Sequence, residues 1–270
     1  MDRLADKVVV IVGGARGIGW ATVQSCLREG AQVFMADLRR PEGPPVKPDR
    51  FAASELDATD PAPVGDFFAR VYGEVGRIDG LLNNVGIHLP KSIVDATPEE
   101  FDLIFRVNVK PAYLACRAVV PQMIERRRGS IVNMSSNGGL MGRPGDPLYN
   151  ASKHAVIGLT RSLAVAYAHE GLRVNAVCPG PVDTAMLRMG ISSEEEFTAR
   201  LPQLVASTPA ARVAEPDEVA AAVVFLLSDE SRFINGAAIP VDGGKAAGAM
   251  PADRYRTDFR LRRSTDASGV

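Results

Sequence analysis

Cysteine is scarce in this chain: three residues in 270, Cys26, Cys116 and Cys178, far apart in sequence. That spacing excludes a disulfide-stapled scaffold and a paired-cysteine metal motif, so the expectation is a reduced, cytoplasmic protein without a metal site. Long apolar runs are missing too. The run Val8–Val12 has the length of a buried strand rather than a bilayer span. The opening residues Met1 to Lys7 lack the apolar segment of a secretory signal. Charge of one sign is also absent. The 31 Lys and Arg against 32 Asp and Glu leave a formal net charge of −1, which speaks against nucleic acid or a membrane as partner. What remains is a globular balance, 46% hydrophobic and 23% charged, in a chain long enough to bury a substantial core. No clean linker and no internal repeat interrupts it. The expected organisation is one domain over 1–245 and a polar tail over 246–270, which carries Tyr255, Phe259 and Leu261 among arginines.

Short β-branched runs alternate with longer helical patterns. Strands are expected at 8–12, 32–36, 78–82, 130–134 and 173–177, with weaker ones near 50–56 and 238–241. Helices are expected near 17–29, 61–75, 98–126, 148–170 and 216–228. Thr97-Pro98-Glu99-Glu100 reads as a capped start with a first-turn proline, and Ser193 with Glu196 as a second capping box. Strand–helix alternation predicts an α/β protein: a doubly wound, mostly parallel sheet with helices on both faces.

Gly13-Gly14-Ala15-Arg16-Gly17-Ile18-Gly19 follows the first strand and opens a helix. Small residues let the backbone turn and approach a pyrophosphate, and a helix N-terminus offers free N–H groups with the positive dipole end. Asp37 ends the second strand, where a carboxylate binds ribose hydroxyls of NAD. A 2′-phosphate would bring a second anion to that place, so NADP is disfavoured. Arg16, Arg39 and Arg40 argue the other way.

Tyr149-Asn150-Ala151-Ser152-Lys153 starts a helical pattern, and its four-residue spacing puts Tyr149 and Lys153 on one face. A nearby ammonium favours a phenolate, so the tyrosine can serve as base and, in reverse, as acid.

With the glycine loop, Asp57, Asn83-Asn84-Val85-Gly86, Asn108, Ser136 and Pro179-Gly180-Pro181-Val182-Asp183-Thr184, these residues resemble the short-chain dehydrogenase/reductase family over about 5 to 244, in its compact single-domain branch. The resemblance implies a Rossmann fold and an NAD-dependent oxidoreductase that interconverts a secondary alcohol and a ketone. It implies that Ser136, rather than adjacent Ser135, holds the substrate oxygen with Tyr149. Lys153 would contact the nicotinamide ribose and lower the tyrosine pKa, and Asn108 would perturb the 98–126 helix and hold a water leading to Lys153. It places Gly13, Arg16, Gly17, Ile18, Gly19, Asp37, Leu38, Asp57, Asn83, Val85, Gly86, Pro179, Gly180, Val182 and Thr184 on the cofactor. A homotetramer formed through 98–126 and 148–170 is implied as well. Two departures stand out. Val12 replaces the family's threonine, and Val85 replaces the alanine of Asn-Asn-Ala-Gly.

Met186, Leu187, Met189 and Ile191, with Leu140 and Met141, suggest an apolar lid and a small hydrophobic alcohol or ketone as substrate. His88 reads as a solvated loop residue, His154 and His169 as ordinary helix residues, and Arg126-Arg127-Arg128-Gly129 as a helix C-cap rather than an anion site. Two other classes compete. A nucleotide-sugar epimerase needs an extra substrate domain for which this chain is short. A dinucleotide-binding redox sensor or scaffold without turnover has no need of Ser136, Tyr149, Lys153 and Asn108 together.

Overall fold

A computed structural model of the chain describes residues 2–189, 191–206 and 208–248. Among these residues seven strands form one sheet: β1 (Val8–Val12), β2 (Gln32–Asp37), β3 (Phe51–Glu55), β4 (Gly80–Asn83), β5 (Gly129–Met134), β6 (Leu172–Pro179) and β7 (Ala238–Val241). Their order is β3-β2-β1-β4-β5-β6-β7, and every pairing is parallel. The helices are α1 (Gly17–Arg28), α2 (Pro61–Val75), α3 (Pro98–Asn108), α4 (Lys110–Glu125), α5 (Pro147–Tyr167), α6 (Glu194–Val205) and α7 (Pro216–Leu227).

β1 shows how the sequence builds two layers. Side chains alternate across a strand, so Val8, Val10 and Val12 enter one core with Phe67, Phe68 and Val71 of α2 and Leu114, Val119 and Met123 of α4. Val9 and Ile11 enter the other with Val23 and Leu27 of α1 and Val219, Val223 and Leu227 of α7. A strand covered on both faces must be apolar throughout, and each side chain so buried contributes roughly 1.5–3 kcal/mol. Val12, the first departure from the family, is simply part of this core. The helix starts match their sequence signals: Thr97 accepts from the Glu100 N–H, and Ser193 from the Glu196 N–H at 3.2 Å.

The helix expected over 98–126 is two helices, and Pro111 is the reason. Within an unbroken helix it would lack the N–H for the Val107 carbonyl and its ring would press on that group. The chain breaks at Val109, with φ −115° and ψ −48°, and restarts with Pro111 in the first turn of α4. The 148–170 pattern is α5 followed by a short 3-10 turn at Ala168–Glu170. Of the expected tail, 249–270 lies outside the described residues, as do Tyr255, Phe259 and Leu261. No described helix is long and apolar enough to cross a membrane.

Candidate active site

The strand order reverses between β1 and β4, and at such a switch point the loops leaving the strand ends diverge and open a crevice. A cleft of about 740 Å³ lies there. Gly13, Arg16, Gly17, Ile18, Asp37, Leu38, Asp57, Val85, Gly86 and Thr184 line it, all of them expected at a cofactor.

The lining fits an elongated anionic dinucleotide. A Cβ on Gly13 would come within 2.8 Å of the Val85 nitrogen, and one on Gly17 within 3.1 Å of Thr184 Cγ2. Both glycines hold a positive φ, 85° and 53°. Arg16 at the N-cap of α1 gives no side-chain cap, and the first turn has no acidic residue, so the helix start is open to an anion. Asp37 is held in place: its Oδ2 accepts from the Ala15 N–H at 3.0 Å and its Oδ1 from the Arg39 N–H at 3.1 Å. Asp57 caps its own turn through the Thr59 N–H at 2.8 Å. Leu38, two-thirds exposed, offers an apolar surface.

Five expected cofactor residues stand elsewhere. A Cβ on Gly19 would lie 2.1 Å from the Gly13 carbonyl oxygen, so this glycine packs helix on loop. Asn83 ends β4 with its side chain turned into the core. It donates to Asn133 Oδ1 at 2.8 Å, and Asn133 donates in turn to Thr160 Oγ1 of α5 at 2.9 Å. The Asn83 side-chain oxygen, Oδ1, is buried without a partner. Its neighbour Asn84 reaches the cleft instead and donates to the Gly13 carbonyl at 2.7 Å. Pro179 ends β6 beside Val241 of β7, and Gly180 fits against Asp242, where a Cβ would fall 2.8 Å away. Val182 is buried and bridges to Ala214.

The far wall is the segment after β6, where Thr184 and Met186 line the cleft. Arg188 clasps this segment. It binds Asp183 through two bonds of 2.5 and 2.7 Å, pairs with Glu194, and lies 4.0 Å over the Phe197 ring.

The cleft ends at Gly86 and Ile87, and the remaining expected residues gather just past that end. A Cβ on Gly86 would sit 3.2 Å from Lys153 Nζ and 3.4 Å from Asn108 Oδ1. The Asn108 amide grips the backbone of Ile87 from both sides, accepting its N–H at 2.7 Å and donating to its carbonyl at 3.0 Å, and donates to Ser152 Oγ at 3.0 Å. It is thus bonded across the fold rather than locally. Lys153 Nζ lies 5.8 Å from the centre of the Tyr149 ring and donates to the Met134 carbonyl at 3.1 Å. An ammonium has three donors, and this is the acceptor it has among the described residues. Ser136 Oγ accepts from the Gly138 N–H at 3.1 Å and donates to Asn137 Oδ1 at 3.3 Å, and its hydroxyl is near enough to pull the Tyr149 phenol down. Ser135 is engaged otherwise, donating to the Lys153 carbonyl at 2.9 Å.

Asn108, Ser136, Tyr149 and Lys153 are all buried, which costs stability wherever a polar group lacks hydrogen bonds, as at the under-bonded Lys153 ammonium. Burial pushes the Tyr149 phenol up, more than the Ser136 hydroxyl and the Arg143 guanidinium pull it down, and Asp146 pushes it up further. The expected lowering by Lys153 is therefore not what the chain alone produces. Burial takes the Lys153 ammonium down to about 8. The same effect pushes the thiols of Cys26 and Cys116 up to about 12, which leaves them inert near neutrality.

The lysine shift has a consequence for stability. Between pH 8 and the ordinary lysine range the unfolded chain binds the proton more tightly, so stability rises with pH across that window and the full penalty applies below it. Lys153→Met should therefore stabilise the cofactor-free protein at pH 7 by about 1–3 kcal/mol, an advantage that shrinks from about pH 8 upward and is mostly gone at about pH 10. Urea unfolding at both pH values reads it. A variant less stable than the native chain at pH 7 would show that the ammonium is not penalised.

His88 is not a solvated loop residue. It contacts Asp146 at 2.9 Å and packs edge-on against the Tyr149 ring. Nothing local in the sequence announces a pair 58 residues apart. The three arginines at 126–128 pair with the buried Asp79 and with Glu170 and Asp229, so ion pairs within the fold account for them.

A glycine-lined crevice at a sheet switch point, ending on a buried serine, tyrosine and lysine, defines a class: nicotinamide-dependent oxidoreductases with a one-domain Rossmann fold. Residues 13–246 match the family model described as Enoyl-(Acyl carrier protein) reductase. The chain belongs to the short-chain dehydrogenase/reductase family. It is similar to 2-(S)-hydroxypropyl-CoM dehydrogenase 3 of Xanthobacter autotrophicus, at 38% identity over 91% of this chain and 99% of that one. Among solved structures, ligand-free Thermoplasma acidophilum aldohexose dehydrogenase superposes with a TM-score of 0.87, at 34% identity over 94% of this chain and 99% of the other. ElxO with NADP bound superposes at 0.83, with 28% identity over 90% of this chain and 100% of the other.

Proposed function

We propose that this chain is an NAD-dependent dehydrogenase that interconverts a secondary alcohol and a ketone, with Tyr149 as the proton donor and acceptor. The observation that carries the reading is the cluster at the Gly86 end of the cleft. Tyr149, Ser136 and Lys153 meet there, buried, next to a lining suited to a dinucleotide.

When bound, a nicotinamide cofactor supplies hydride transfer. The remaining work falls to the chain. Residues 13–18 and Thr184 hold the phosphates, Asp37 takes the adenosine ribose, and Leu38 and Asp57 take the adenine. Ser136 and the Tyr149 hydroxyl hold the substrate oxygen, and Tyr149 takes its proton in oxidation or returns it in reduction. Lys153 directs its spare donors at the nicotinamide ribose and keeps positive charge beside the phenol. Asn108 fixes Ile87, and with it the floor at Gly86. Val85 fills the space an alanine would leave beside Gly13.

The substrate is a small alcohol or ketone of hydrophobic character, since Met186 walls the cleft. Residues 1–245 act as one unit, and Tyr113 of α4 and Val165 of α5 are exposed apolar residues suited to a tetramer contact. Absorbance at the reduced-nicotinamide band with NAD and a panel of secondary alcohols tests the reading. Turnover should appear with at least one of them and vanish in Tyr149→Phe. Tight cofactor binding without turnover on any alcohol or ketone would favour a sensor instead.

A further inference from the structure

The N-cap of α5 carries a residue that declines its usual work. Aspartate at an N-cap normally accepts an N–H of the first turn, which is worth about 1 kcal/mol. Asp146 occupies that position, yet its carboxylate makes no such bond. Both oxygens are directed elsewhere: Oδ1 to His88 Nε2 at 2.9 Å, Oδ2 to Arg143 at 3.1 Å. Its side chain is only 8% exposed. The His88 ring in turn stands edge-on to Tyr149, with centroids 4.9 Å apart and planes at 76°.

We propose that His88, clamped by Asp146, is a positioning residue for Tyr149 and couples the Arg143–Asp146 ion pair to the phenol. This rests on Tyr149 being the proton-transfer group.

The histidine is placed from two directions. Its chain neighbour Ile87 is gripped at both backbone groups by Asn108, which fixes where His88 leaves the loop. Asp146 then fixes the ring. A carboxylate only accepts, so Nε2 carries the hydrogen and donates, and that bond sets the tautomer. The break after α3, acting through Ile87, and the loop before α5, acting through Asp146, thus hold the His88 ring of the segment after β4 against the tyrosine.

The charges around Tyr149 are few. Lys153 comes from its own helix, Arg143 and Asp146 from the loop before it, and His88 from the segment after β4. Lys245 and Asp242 lie further out, within electrostatic range of each other and, for Lys245, of Arg143. α3 packs on the tyrosine with the apolar Ile104 and Phe105. Arg143 favours the phenolate and Asp146 opposes it. By donating to Asp146, His88 takes up part of the carboxylate's charge while bracing the ring.

Two measurements test this, and the first needs no substrate. The phenolate absorbance of Tyr149 is taken as the difference between each protein and the same protein carrying Tyr149→Phe, and is titrated with alkali. Asp146→Asn should move the midpoint down and Arg143→Gln should move it up. Helix packing alone has no reason to produce shifts of opposite sign. The second is steady-state kinetics. His88→Ala should lower kcat by roughly 10- to 100-fold with KM within about twofold of native. His88→Gln, which keeps an N–H near Nε2, should recover part of that loss. His88→Phe, which keeps only a ring, should not. Midpoints that stay put or move together, or native kcat in His88→Ala or His88→Phe, each overturn the proposal. Opposite midpoint shifts in a protein that oxidises no alcohol would leave the charge coupling standing and overturn the assigned reaction instead.

Discussion

Tyr149→Phe should lower turnover by about 100-fold or more while leaving cofactor affinity nearly unchanged. The substitution removes one oxygen and keeps the ring that packs against His88, Ile104 and Leu148. The fold therefore has no reason to respond. The chemistry does, because in the proposed reaction that hydroxyl takes or gives the proton. Its burial holds the phenol in the protonated form, so the chain by itself favours the acid of ketone reduction over the base of alcohol oxidation. Arg143 and the Ser136 hydroxyl work against that bias, and since burial brings Lys153 down to about 8, the charge of that lysine fades just above neutral pH. Turnover in the variant at more than about a tenth of native would remove Tyr149 from the mechanism. Cofactor binding, read by nicotinamide fluorescence, should be indifferent.

Asp37→Ala should shift the cofactor preference toward NADP by roughly 30- to 1,000-fold, equivalent to about 2 to 4 kcal/mol. The contest is between one carboxylate and the arginines around it. Asp37 is anchored by backbone N–H groups of the glycine loop and of its own turn, so it cannot swing away from an incoming 2′-phosphate. Arg40 is held by Glu55 at 2.8 Å, with both side chains largely exposed. Arg16 and Arg39 line the cleft and are the residues able to embrace that phosphate. Fixed placement gives the carboxylate the advantage, since a mobile arginine must also be ordered on binding. Catalytic efficiencies with both cofactors and one substrate decide it. Equal or better efficiency with NADP in the native protein would show that the arginines prevail.

What the sequence displayed and what it hid follow a physical line. β1, the glycine loop and α1 were legible because their residues act on their neighbours in the chain: an apolar run, a tight turn, a helix start. Asp37 was legible for the same reason, as the last residue of a strand. The break at Pro111 was also written locally, but the apolar period running through 98–126 concealed it. Asn83 and Asn84 could not be told apart by motif. The last paired residue of β4 faces inward and the next one faces the cleft. Asn108 was expected at the site through the family resemblance, but its grip on Ile87, 21 residues away, had no signal in the chain. His88 and Asp146 carry no mutual signal at all, because only the folded sheet brings the segment after β4 beside the start of α5.

The amides of Asn83 and Asn133 are also a device against misalignment. Parallel strands can slide by two residues without turning any side chain to the wrong face, and between two apolar strands little opposes such a slip. Here Asn83 stands directly across from Asn133, and the next apolar pair is Leu81 with Ile131. Sliding β4 along β5 by two residues would set an amide against an apolar side chain and break the Asn83–Asn133 bond, at about 1–3 kcal/mol for each polar group so stranded. Thr160 extends the constraint from the sheet to the helix that carries Tyr149 and Lys153. The ladder therefore defines the native alignment chiefly by making each shifted competitor unfavourable.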